Sequence, residues 1–200
     1  MKKILEYIED KNILINKDWY YHATPFSYDI YKSILSNGIL SPYLLSNHNS
    51  SYRYVFVSRG NNNKYSAFSN YSIYPNFIIN GNIDAINSKD NFIKKLIYGG
   101  FHNLNFTSLY DDEYQVYKKI NPEDIIGILF NLEKLITTYH EESSYYLNIL
   151  CDLVFLLKQL GITIPIIDYY SSKEINKQKV LSLVKKEKLK CIKTEFVDWI

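Results

Sequence analysis

Apolar positions along this chain come in short runs whose period changes repeatedly. Residues 19–24, WYYHAT, are aromatic and β-branched and predict a strand. At Thr24-Pro25 the pattern switches: Thr is suited to cap a helix and Pro to sit in its first turn. Phe26, Ile30 and Ile34 then recur at i, i+4 and i+8 with Leu35 alongside, and Asn37-Gly38 ends the helix. The prediction is a strand feeding directly into a helix, with His22 near the strand's end. After the polar SNHNSS comes a second strand at 52–58 (YRYVFVS), then a turn at RGNNNK and a short helix at YSAFSNY. FIINGNIDAI contains Asn-Gly and reads as a hairpin or as a strand with a tight turn. DNFIKKLIYGG is expected to be helical, DEYQVY a strand, and KKINPEDIIGILF a turn followed by a strand. Residues 3–9 form a further short amphipathic helix candidate.

The character changes after residue 131. Residues 131–140 and 144–160 read as helices, the second with Leu147, Leu150, Cys151, Val154, Leu157 and Leu160 on its core-facing stripe. ITIPII is a short extended segment. Residues 173–190 read as a lysine-rich helix with Ile175, Val180, Leu181, Val184 and Leu189 as its apolar positions. No internal repeat and no disordered linker interrupts the chain. The expected class is α+β, with a mostly β unit over residues 1–130 and a helical elaboration over 131–200 packed on it.

Two hundred residues with 46% hydrophobic content suffice for one core, and 22% charged residues is close to the average for soluble proteins. Twenty Tyr and ten Phe are unusual, but Asn, Lys, Ile and Tyr together also follow from an AT-rich genome. The net charge of +2 is unevenly placed. The stretch from Lys173 to Lys193 carries eight lysines against Glu174 and Glu187, a net +6, which leaves −4 on the remainder. Such a segment can meet nucleic acid or anionic lipid, or serve as a solvated helix face. Cys151 and Cys191 are too few and too far apart for a disulfide framework or zinc cluster, and suit a reducing compartment. The opening MKKILEYIEDKN meets Glu6 and Glu9 before any long apolar stretch, so it does not read as a secretion signal. No window approaches the roughly 18 apolar residues of a membrane span. The expectation is a cytosolic protein, or one delivered to a target cell's cytosol without a conventional signal peptide.

The commonest catalytic motifs are missing. There is no glycine-rich dinucleotide fingerprint, no phosphate loop ending in Lys-Ser or Lys-Thr, no second histidine beside His140-Glu141-Glu142 and no serine in a nucleophile elbow. His48 and His102 sit in polar segments. What remains is an ordered series. His22-Ala23-Thr24 lies on the first strand, ILSNGIL closes the following helix, and VFVS forms the next strand. Ser66-Ala67-Phe68-Ser69-Asn70-Tyr71 forms the short helix, and Glu113-Tyr114-Gln115-Val116-Tyr117 opens a later strand.

Over residues 18–130 this order resembles the ADP-ribosyltransferase superfamily, in the branch shared by diphtheria toxin and the poly(ADP-ribose) polymerases, with its His-Tyr-Glu set. The resemblance implies a split β-sandwich core, with NAD as co-substrate and no metal. In its terms Glu113 is the catalytic carboxylate, stabilising the ribose and bonding its 2′-hydroxyl. His22 donates to the adenosine-side ribose, Ala23 stands where the family's Gly clamps the carboxamide, and Thr24 completes that triplet. Ser66 bonds the carboxamide and Tyr71 stacks on the nicotinamide ring. Phe56 falls where the family has Tyr, so stacking is kept and the hydroxyl lost, with Tyr54 or Tyr65 as possible compensations. Asp111 is either acceptor-selecting or a turn residue, and Ser58-Arg59 leaves a little room for the superfamily's Arg-type branch.

The implied activity is mono-ADP-ribosylation of a protein acceptor by a toxin- or effector-like enzyme. The rival readings are a same-fold enzyme acting on nucleic acid, through ADP-ribosylation or RNA 2′-phosphate transfer supported by the Lys173 to Lys193 stretch, and an NAD-binding module without turnover. In the blandest alternative, His22 is an ordinary core residue.

Overall fold

The computed structural model describes residues 18–25, 27–50, 52–60, 74–88, 112–132, 143–169, 171–175, 178 and 182. Its elements in chain order are β1 (Trp19–Ala23), α1 (Tyr28–Asn37), β2 (Ile39–Leu40), α2 (Pro42–Leu45), β3 (Tyr54–Arg59), β4 (Asn76–Asn80), β5 (Ala85–Asn87), β6 (Glu113–Tyr117), β7 (Lys119–Ile120), β8 (Ile125–Phe130), α3 (Ser143–Leu160) and β9 (Ile166–Asp168). Seven strands form one mixed sheet in the order β5-β6-β3-β1-β4-β8-β9, antiparallel except for β8 and β9, while β2 and β7 pair separately. The class is α+β, with a large sheet and few helices.

β1 explains its own composition. Tyr20 points into the main core, with Val55, Val57, Phe77, Ile79, Ile128 and the buried faces of α1 and α3. Trp19 and Tyr21 point the other way, into a second cluster with Ile78, Leu129, Ile167 and Tyr169. A strand buried on both faces needs a continuous apolar run rather than alternation.

α1 begins later than Thr24-Pro25 suggests. The Thr24 amide is still engaged with the Pro75 carbonyl beside β4 (2.9 Å). Ser27 makes the cap instead, its hydroxyl accepting from the Ile30 amide at 3.4 Å. The stop at Asn37-Gly38 holds. Gly38 has φ +85°, its amide closes on the Ile34 carbonyl, and a Cβ there would strike the Ile120 carbonyl oxygen.

Asn80-Gly81 is a tight turn but not a hairpin. β4 is flanked by β1 and β8, so it has no free edge for β5, which crosses to the far end of the sheet and pairs with β6. The buried face of α3 extends beyond the expected stripe. Ile149, Leu150, Leu153, Leu156 and Leu157 are buried, whereas Val154 is only partly covered and Leu160 is exposed. The chain beyond residue 131 thus supplies both a helix to the main core and, in β9, an edge strand parallel to β8. Outside the described residues fall the helices expected at 3–9, YSAFSNY and DNFIKKLIYGG, the RGNNNK turn beyond Gly60, most of 131–140 and most of 173–190, whose described start, Lys173–Ile175, is bonded along β9 instead of opening a helix.

Phe77 is fully enclosed. Phe77→Ala is expected to cost about 3–5 kcal/mol of unfolding free energy. Leu45→Ala, at a side chain 65% exposed, is expected to stay within about 0.5 kcal/mol. Urea denaturation monitored by circular dichroism separates the two outcomes.

Candidate active site

The site forms where β1 and β3 stop pairing. β1 runs beside β4 for five residue pairs, Trp19↔Asn80 to Ala23↔Asn76, and β3 beside β6 for five, Tyr54↔Tyr117 to Ser58↔Glu113. Between β1 and β3 the ladder holds only Tyr20↔Arg59 and Tyr21↔Ser58. The next residue on β1 is His22, whose Nδ1 lies 2.8 Å from the Phe56 carbonyl oxygen. A side chain thus takes up the strand pairing where the backbone leaves off.

This contact fixes the tautomer. A carbonyl oxygen only accepts, so Nδ1 carries the proton and Nε2 of the neutral ring is an acceptor. Burial drives the His22 pKa below its ordinary value, and the bond to Phe56 opposes that shift without reversing it. A neutral ring held this way presents Nε2 as an acceptor, whereas the resemblance implied a donor.

Glu113 opens β6 directly opposite Ser58, which is itself opposite Tyr21. At the usual strand spacing, its backbone lies about 10 Å from that of β1. The buried Ser88 hydroxyl, just after β5, donates to Glu113 Oε1 at 3.2 Å. Phe56 pairs with Gln115, so Phe56 and Glu113 are diagonal neighbours on one face, within reach of an aromatic and a long side chain. Both are half-buried.

Ala23 pairs with Asn76 in extended backbone and is not among the positive-φ residues, so a side chain is accommodated where the family has Gly. Thr24 is 2% exposed, and its Oγ1 is buried with no hydrogen-bond partner. An unmet buried hydroxyl two residues from His22 suits a polar ligand group. Tyr54 is two positions along β3 from Phe56, and its ring packs edge-on against Tyr117 (5.7 Å). Arg59 lies on the opposite face from Glu113. Its Nη2 donates to the Tyr20 hydroxyl (2.6 Å), and its guanidinium sits over the Tyr20 and Tyr114 rings at 4.3 and 5.2 Å. That packing gives it a structural role and removes the support Ser58-Arg59 lent to an Arg-type site. Ser66, Tyr71, Tyr65 and Asp111 fall outside the described residues.

The structure therefore places His22, Ala23 and Thr24 at the end of β1, Phe56 on β3 and Glu113 on β6, with Ser88 against Glu113. By alternation His22 shares the face of Tyr20 and Arg59, and Glu113 that of Phe56 and Tyr21, so His22 meets this group through the Phe56 carbonyl at the seam. Nothing in the local sequence INSKD marks Ser88; only the pairing of β5 with β6 brings it to Glu113. Among the described residues, no group of three or more His, Cys, Asp or Glu side chains is placed to hold a metal ion. No helix among them is long and apolar enough to cross a membrane. Neither the known family models, nor curated proteins, nor solved structures include a match to this chain.

A histidine held neutral in the fold binds its proton less tightly than in the unfolded chain. Its contribution to stability is full above the ordinary value of 6.5 and is lost as the pH falls below it. The slope is at most about 1.4 kcal/mol per pH unit. His22→Asn keeps an N–H for the Phe56 carbonyl but does not titrate. Between about pH 7.5 and pH 5 the native protein is expected to lose stability faster than this variant. Parallel urea midpoints across that range would assign the pH dependence to other groups.

Proposed function

We propose that the protein is an NAD-dependent mono-ADP-ribosyltransferase, toxin- or effector-like, that cleaves the nicotinamide–ribose bond and transfers ADP-ribose to a protein acceptor. The observation that carries this reading is the His22–Phe56 junction at the β1/β3 seam, with Glu113 one strand further along the same sheet and on the face of Phe56. Residues 22, 56 and 113 are distant in sequence and lie on three adjacent strands, β1, β3 and β6. The finer fold reading, an ADP-ribosyltransferase-like split sheet, is supported by the two-pair ladder between β1 and β3.

The chemistry suits this sparse set of groups. When the bond between ribose C1′ and the pyridinium nitrogen breaks, its electron pair returns to the ring, and nicotinamide leaves neutral. No general acid is needed, in contrast to ordinary glycoside hydrolysis. The site has to orient the substrate and stabilise a cationic, oxocarbenium-like ribose. Glu113, held by Ser88, supplies the negative charge and an acceptor for the ribose 2′-hydroxyl. His22, with Nε2 free to accept, positions the adenosine-side ribose. The unmet Thr24 hydroxyl and the Phe56 ring provide polar and stacking contacts. The acceptor then attacks C1′ and loses its proton.

Phe56 motivates a second reading. Without the tyrosine hydroxyl of the family pattern, the site would bind NAD and not turn it over. Purified protein incubated with NAD and cell lysate is expected to release nicotinamide, quantified by mass spectrometry. Glu113→Ala is expected to lower the rate about 10²–10³-fold. Saturable NAD binding with no release supports the second reading, and absence of both removes the NAD assignment.

A further inference from the structure

The pairing of β3 with β6 gathers a second set of side chains at the end of the sheet away from Glu113. Tyr54 is opposite Tyr117, the Lys118 amide donates to the Arg53 carbonyl (2.6 Å), and the Tyr43 amide donates to the Tyr52 carbonyl (2.8 Å). Lys119 pairs with Leu40 in the small sheet. Lys118 is the joint between the two sheets and has a left-handed backbone, φ +63°. Non-glycine residues rarely adopt that conformation, and here it sets the lysine beside Tyr117.

Two exposed cations stand over tyrosine rings, and a third, Lys119, follows directly on β7. The Arg53 guanidinium lies 4.9 Å from the centroid of the Tyr43 ring, and Lys118 Nζ lies 5.2 Å from that of Tyr117. Tyr117 is 52% exposed and Tyr52 37%. Residues 38–60 and 114–121 contain no Asp or Glu. The charge is uncompensated within the segments that build this surface.

We propose that this surface, formed by Tyr43, Tyr52, Arg53, Tyr117, Lys118 and Lys119, binds single-stranded nucleic acid. The partner has to be a polyanion with flat apolar faces. Phosphates answer the cations, and unstacked bases answer the tyrosine rings. An acidic peptide would use the charges and leave the rings unused. A bilayer surface favours an apolar tip with cations collared around it, whereas here each cation lies against one side of a ring and Tyr117 and Tyr52 stay 52% and 37% exposed. This inference does not rest on the NAD reading, since none of these six residues belongs to that site.

The test is fluorescence anisotropy of a labelled oligothymidine of about 20 nucleotides with the full chain, over a salt series. Three phosphate contacts predict a slope of log affinity against log salt of about −2. Joint Arg53→Gln, Lys118→Gln and Lys119→Gln replacement is expected to bring the slope near zero. Tyr117→Ala is expected to weaken binding about tenfold with the slope unchanged. Circular dichroism checks the fold; if the triple variant unfolds, Lys119→Gln alone is expected to reduce the slope by about 0.7. The inference is overturned if the oligonucleotide does not bind at low salt, or if binding survives these replacements and depends on the lysines of 177–193. It is also overturned if only phosphatidylserine vesicles, and not the oligonucleotide, are retained through these cations.

Discussion

One backbone carbonyl, that of Phe56, and the histidine that satisfies it organise the centre of this sheet. A carbonyl turned toward a neighbouring strand has to find a donor. Along β1 and β4, and along β3 and β6, backbone amides meet that need for the length of each strand. Between β1 and β3 they do so for two residue pairs, and then His22 Nδ1 takes over. The two halves of the sheet can therefore part company beside His22 without leaving Phe56 unsatisfied. The protonation state of the ring, the direction its free nitrogen faces and the position of the seam are one structural fact.

The second functional group is placed by a different kind of dependence. Glu113 is oriented by Ser88, and Ser88 reaches it because β5 crosses the sheet to pair with β6. That crossing follows in turn from β4 having both its edges occupied. A half-buried carboxylate is thus fixed by packing decisions made at the far side of the sheet. Such indirect constraint holds a charged group in place where a flexible side chain alone would wander.

Much of this was legible in the sequence, and the reasons are local. β1, β3 and β6 announce themselves through aromatic and β-branched runs, and Asn37-Gly38 marks the end of α1 because glycine alone tolerates its backbone there. His22 and Glu113 stand out because a polar residue inside such a run asks for a partner. The misses are non-local. Of the two readings open for Asn80-Gly81, the tight turn rather than the hairpin holds, because β4 has already given both its edges to β1 and β8. Ser27 replaces Thr24 as the cap because Thr24 remains tied to Pro75. Ser88 carries no signature of its own, and the Phe56 carbonyl that takes His22 Nδ1 lies 34 residues away in sequence. The buried stripe of α3 is wider than expected: Ile149, Leu153 and Leu156 join Leu150 and Leu157 in the core, Val154 packs against it partly covered, and Leu160 is exposed.

The last turn of the described chain bears on how the protein behaves among copies of itself. The Asp168 carboxylate accepts from the Ser171 amide and hydroxyl at 3.0 and 2.6 Å, and folds the chain back on β9. Lys173 and Glu174 then run alongside the strand, with Ile167 bridged to Glu174 and the Ile175 amide bonded to the Ile166 carbonyl. An edge strand with open amides and carbonyls is a template on which another sheet can grow. At one border of this sheet the returning, charged segment occupies those groups. At the other, β5 is only three residues long and offers little to extend. Among the described residues, one aspartate-held reversal and one abbreviated strand thus leave a seven-stranded sheet rich in tyrosine and isoleucine little open edge on which another could grow.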